Sequence, residues 1–178
     1  MAKARDIPDL DADASFADAA AKVVAVRAQE LADHSENVLD TTDIERVHDM
    51  RVATRRLRAV LEIFAPCFPK ALHRDVLRDV KALADALGER RDPDVHIAAL
   101  DAFAAGAKPS SRAGVRLLAG RFRNEQAAAN KRLAQALEQA EATNLDDRLR
   151  ELIGSASAAG RLTRPPKSRA SMASGDRA

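Results

Sequence analysis

At 178 residues the chain has the length of one ordinary domain, long enough to close a single hydrophobic core without help from disulfides or metal. It is 46% apolar but only 3% aromatic, with no Trp or Tyr; Ala, Leu and Arg suit helices, while strands draw on β-branched and aromatic residues. The net charge of +2 is too small to mark a nucleic-acid binder by itself, and it hides an uneven distribution.

Residues 1–14 are acidic, polar and proline-containing, so a mobile arm is expected there. Acids and a proline stand where a secretion signal would need an apolar core. Ser15 can cap a first helix running to about Leu39, with Phe16, Ala20, Val23, Val24, Leu31, Val38 and Leu39 near helical spacing. Thr42 or Asp43 can cap a second helix that runs to Ala65, where Pro66 and Pro69 stop it. Cys67 is the only cysteine, which excludes an internal disulfide and any CxxC motif and leaves a structural role. Pro69 suits the first turn of a third helix through Leu72, Val76, Val80, Leu83 and Leu87, ending near Gly88. Asp92 and Pro93 form an N-cap and N1 pair that opens a fourth helix through Val95, Ile97, Leu100 and Phe103 to Gly106. After a loop at 108–111, a long fifth helix is expected from Arg112 to Ala142, and Asn144 can cap a sixth from Leu145 to Ile153.

Residues 154–178 are Ser, Ala, Arg, Pro and Gly with few large apolar side chains, so a disordered tail is expected. No segment alternates as a strand would, and no apolar run approaches the ~20 residues that cross a bilayer. The expectation is an all-α, antiparallel four-helix-bundle-like domain of five to six helices over residues 15–153, without a sheet and cytoplasmic.

The charge is concentrated. Residues 1–45 hold four Lys and Arg against eleven Asp and Glu, whereas residues 46–91 hold eleven against six. Within the second helix, with His48 at zero on a wheel of ~100° per residue, Arg55 falls near −20°, Arg51 near −60° and Arg58 near −80°. Met50, Ala53, Leu57, Val60, Leu61 and Phe64 occupy the opposite arc. The four cations therefore form a ladder with rungs about one turn, ~5.4 Å, apart. Arginine suits phosphate, because its planar fork donates two hydrogen bonds and stays charged at every relevant pH. Glu62 is the one acid expected near this stripe, and stacking like charges costs a few tenths of a kcal/mol per pair unless an anion is bound. A solvated surface face is the alternative, which the scarcity of compensating acids disfavours.

No metal or catalytic motif accompanies the ladder. His34, His73 and His96 are scattered as surface or boundary residues, without HxxxH or HExxH spacing. There is no GxxxxGK[ST] or GxSxG, so neither enzymatic activity nor a metal or other cofactor is expected.

The stretch VHDMRVATRRLRAVLEIF at Val47 to Phe64, together with VKALADALGERRDPDV at Val80 to Val95, closely resembles the CHAD family, the conserved histidine α-helical domains. The resemblance covers about Phe16 to Ile153. It implies an all-helical fold with a basic surface that binds inorganic polyphosphate, in association with polyphosphate granules. The family's basic positions fall on His48, Arg51, Arg55, Arg58, Lys81 and Arg91, with Arg56 also in the motif, while Asp92 matches the acid of an Arg-Asp pair and reads as a helix cap or orienting partner. Complete members usually carry a second, related half. Arg116, Arg121, Arg123, Lys131 and Arg132 lack its His-led pattern, so this chain reads as a first half, either truncated or paired with a second copy as a homodimer. A nucleoid-type nucleic-acid binder and an accessory module to a triphosphatase are the competing functions; the first is disfavoured by the lack of aromatics for base stacking.

Overall fold

The computed structural model describes the backbone of residues 3–11 and 13–163, and side chains as far as residue 158. It is all-helical, with no strand among the described residues: α1 (Phe16–Asp33), α2 (Ile44–Ile63), a short 3-10 turn (Ala65–Cys67), α3 (Lys70–Gly106), α4 (Pro109–Ala142) and α5 (Leu145–Thr163). None of its helices is long and apolar enough to cross a membrane.

The caps follow local chemistry. The Ser15 side chain accepts from the Asp18 amide to start α1, and Asp43 accepts from the Glu45 amide to start α2, each satisfying an amide that the first turn leaves unpaired. Two expected boundaries move. The first helix stops at Asp33, with His34 as its C-cap; Asn37 adopts φ 54, a left-handed conformation that Asn tolerates and a continuing helix cannot contain. The last helix passes the expected end at Ile153 and continues to Thr163. Leu152 and Ala156 are fully buried, so the small residues after Gly154 still carry an apolar stripe. The remaining tail expectation, 164–178, lies outside the described residues.

The third and fourth expected helices are one. α3 runs 37 residues with Pro93 inside it, and Asp92 is an exposed mid-helix residue rather than a cap. A proline in a helix interior removes one backbone bond and costs about 3 kcal/mol. Pro93 is buried, and Arg90 and Asp94 beside it are buried and bonded to α4, which opposes that cost.

The core joins α1, α2, the first half of α3, the end of α4 and α5, through Val24, Leu31, Val47, Met50, Leu57, Leu61, Val76, Val80, Leu87, Leu133, Leu149 and Leu152. Beyond Asp94, α3 and the start of α4 continue as a two-helix hairpin, tied by His96 packed at a tilt on Phe122, ring centroids 4.6 Å apart, and by Arg123 to Asp101 at 3.2 Å. Val95, Phe103, Leu117 and Leu118 are exposed there. His73 also departs from expectation: it is buried, stacked on Phe68, with Nε2 2.9 Å from the Leu61 carbonyl. Residues 3–11 of the acidic arm are not without contacts, since the Arg5 amide donates to Glu30 and Lys22 donates to the Asp9 carbonyl.

Candidate polyanion-binding site

Burial on α2 sets the stripe. Val47, Met50, Ala53, Thr54, Leu57 and Leu61 are buried, which turns His48, Arg51, Arg55 and Arg58 away from the core; Arg55 is exposed and the other three are half-buried. Thr54 is accommodated in the core because its hydroxyl donates back to the Met50 carbonyl at 2.7 Å. Among the described residues neither Arg51 nor Arg55 has a carboxylate within ion-pair distance.

Two neighbours on α3 reach the stripe from its flank. Lys81 Nζ lies 3.0 Å from Glu62 Oε1, and Arg58 Nε donates to the same oxygen at 3.2 Å. Hydrogen bonds from Lys81 and then Arg58 hold the Glu62 carboxyl below its ordinary range. At the other end, Arg91 donates to the Ile44 carbonyl at 3.2 Å and approaches Glu45 at 3.6 Å. The expected set is thus brought together in the order Arg91, His48, Arg51, Arg55, Arg58, Lys81 along the α2–α3 pair.

Arg56 is placed apart. It is half-buried toward α1, 4.0 Å from the buried Glu30, whose other partners are the Arg5 amide and Arg27, each at 2.6 Å. Burial pushes the Glu30 carboxyl up, but these hydrogen bonds and charges outweigh it and hold it low. By register Arg56 lies ~80° round the wheel from His48.

Glu45 and Asp49 lie close to His48: one ligand atom from each of the three falls within 4.8 Å of the others. The i, i+3, i+4 spacing that produces this was visible in the sequence but lacks any metal-motif signature.

A second set of polar residues escaped the sequence reading. Arg90 and Asp94 are fully buried and paired; Arg90 also donates to Asn130 at 3.0 Å, Gln126 donates to Asp94 at 2.6 Å, and Asn130 donates to the Leu39 carbonyl at 3.0 Å. The network locks α4 and the α1–α2 connection to the part of α3 that carries Arg91. The acid that pairs with arginine here is Asp94, not Asp92.

A family model for the CHAD domain matches residues 22–177, nearly the whole chain. The chain belongs to the CHAD domain family. No curated protein and no solved structure is similar enough to the chain to count as a match. The CHAD match extends past Ile153, where the motif-based resemblance ended, through all of α5.

Proposed function

We propose that this CHAD domain binds inorganic polyphosphate without acting on it, using Arg51, Arg55, Arg58, Lys81 and Arg91 as phosphate clamps and His48 as a hydrogen-bond donor. The observation that carries this reading is the pair Arg51 and Arg55, two cations one turn apart with no acidic partner among the described residues. Each remains available to an anion that presents negative charge at every repeat, and guanidinium groups meet phosphate oxygens in pairs. CHAD domains occur in polyphosphate-related proteins, and the cell-level reading is a cytoplasmic protein recruited to polyphosphate granules.

Nucleic acid offers the same backbone charge, but the described surface has almost no aromatic side chain on which bases could stack. Competition at equal phosphate concentration and physiological salt separates the two. Displacement of bound polyphosphate by DNA would contradict the reading; retention supports it. Release of orthophosphate by the purified protein with divalent metal would contradict the non-enzymatic part.

A second copy of the chain is proposed as partner, packed through the hairpin that exposes Val95, Phe103, Leu117 and Leu118. Light scattering with and without polyphosphate tests it. A doubled mass supports the homodimer, and a monomer in both conditions contradicts it.

A further inference from the structure

A second cationic ladder runs along the outer face of α3. With Arg74 at zero on the wheel, Lys81 falls near −20°, Lys70 near −40° and Arg78 near 40°, an arc as narrow as that of the α2 stripe. Lys70 is exposed, and the Arg74 and Arg78 side chains are 77% and 66% exposed. A shallow groove of about 540 Å³ follows this face, lined by Arg74, Leu77, Arg78, Lys81 and Asp85.

α2 and α3 are antiparallel neighbours joined by the short turn, and Glu62 fixes their register by bonding Arg58 from one and Lys81 from the other. Moving along α2 toward its C-terminus is therefore moving along α3 toward its N-terminus. The stripe His48 to Arg58 rises about 15 Å, and Lys81 to Lys70 carries the cations about 16 Å further in the same direction. The ladders follow one another end to end, with Arg58, Glu62 and Lys81 at the junction.

Acids near the second ladder do not neutralise it. Asp75 lies 3.0 Å from Arg78 and 3.7 Å from Arg74, but such exposed pairs hold little free energy and yield to a polyanion. Asp79 also accepts from Arg78 at 3.2 Å, but it is half-buried and held foremost by Arg148, with the Thr143 hydroxyl beside it. By register Asp75 and Asp79 sit about 100–140° round the helix from Arg74, off the ladder, whereas the exposed Asp85 falls near 20°, within the arc but one turn past Lys81, on the side away from Lys70.

We propose that Lys70, Arg74 and Arg78 form an extension of the anion track that is engaged only by phosphate polymers long enough to pass the Arg58–Glu62–Lys81 junction. The extension rests on the polyphosphate reading and deepens it: it makes affinity depend on chain length, because each added phosphate contact releases further counterions.

The test compares tripolyphosphate and long-chain polyphosphate as probes of the full chain, in the wild type and in Arg74→Gln/Arg78→Gln. The control variant, Arg116→Gln/Arg121→Gln, removes equal charge from exposed hairpin positions. All four changes are at exposed side chains, and unchanged thermal unfolding confirms folding. The expected result is a loss of about tenfold for the long polymer, with the salt slope of log K smaller by about 1.4, the single-strand value for two lost contacts. Tripolyphosphate binding and the control variant should be unaffected. Unchanged long-chain affinity in Arg74→Gln/Arg78→Gln overturns the extension and leaves the α2 stripe standing; so does an equal loss for both probes or in the control, which signals net charge alone. Failure of the wild type to bind either probe overturns the polyphosphate reading and the extension with it.

Discussion

Arg90 and Asp94 face each other one turn apart on α3 with neither side chain exposed to solvent. Arg90 Nη2 and Asp94 Oδ2 have no hydrogen-bond partner among the described residues, so the buried pair rests on the bonds its other atoms make to each other, to Gln126 and to Asn130. Removing one member leaves an uncompensated buried charge, which costs about 3–5 kcal/mol, whereas replacing both by apolar groups is often near neutral. Asp94→Ala is therefore expected to lower urea stability by that amount, and Arg90→Met/Asp94→Leu to recover most of it. A small effect of Asp94→Ala would show that the network does not hold α4 to α3.

Glu62 occupies the junction of the two cationic ladders and competes there with any bound anion. Glu62→Gln frees Arg58 and Lys81, so polyphosphate affinity should rise severalfold with a steeper salt dependence. Its side chain is 43% exposed, and exposed ion pairs contribute only about 0–1 kcal/mol, so the melting temperature should barely move. Weaker binding by Glu62→Gln would mean that the carboxylate orients the clamps rather than blocking them.

Asp79 links α3 to α5. Burial raises its carboxyl pKa, but the hydrogen bond and charge of Arg148, with Arg78 and Thr143, outweigh that and leave it below the ordinary 3.8. A carboxyl depressed by folding contributes stability that is fully present above its unfolded value and lost as pH falls through the folded one. The acid limb of unfolding should therefore begin below about pH 4. Asp79→Asn should flatten that limb and cost about 1–3 kcal/mol at pH 7, because the half-buried Arg148 loses its charged partner. Urea titrations at pH 7 and pH 3 measure both effects. An equally steep acid limb in Asp79→Asn would assign it to other carboxylates, Glu30 first.

Phe103 and Leu117 on the hairpin are 62% and 73% exposed. Truncating either to Ala should change monomer stability by less than about 0.5 kcal/mol, as at other surface positions. Leu57→Ala or Leu87→Ala, both fully buried, should cost about 2–5 kcal/mol. A large loss from Phe103→Ala in the monomer would contradict that exposure, whereas a loss seen only where light scattering gives a doubled mass would report the proposed dimer contact.

Much of this arrangement could be read from residues alone, where local and tertiary preferences agree. Ser15 and Asp43 cap as expected because an N-cap needs only a side-chain oxygen and the next turn's amides. The α2 stripe was legible because its apolar and cationic arcs separate cleanly. Asp92 and Pro93 misled because their local signal for a helix start is strong, and only the burial of Pro93 and the bonds from α4 to Arg90 and Asp94 let α3 continue through them. Arg90 and Asp94 went unseen for the same reason: as an i, i+4 pair they look like any surface ion pair until α4 buries them. Lys70, Arg74 and Arg78 became a track only once the antiparallel register of α2 and α3 aligned them with the stripe, a relation no single helix contains.

The central claim is that the α2 stripe holds polyphosphate, and titration of long-chain polyphosphate into wild type and Arg51→Glu/Arg55→Glu at physiological salt tests it most directly. Both side chains point away from the core, so the double variant should keep its helical content and melting temperature. The account predicts tight binding by the wild type and no measurable retention by the folded variant. Unchanged binding by that variant would contradict it.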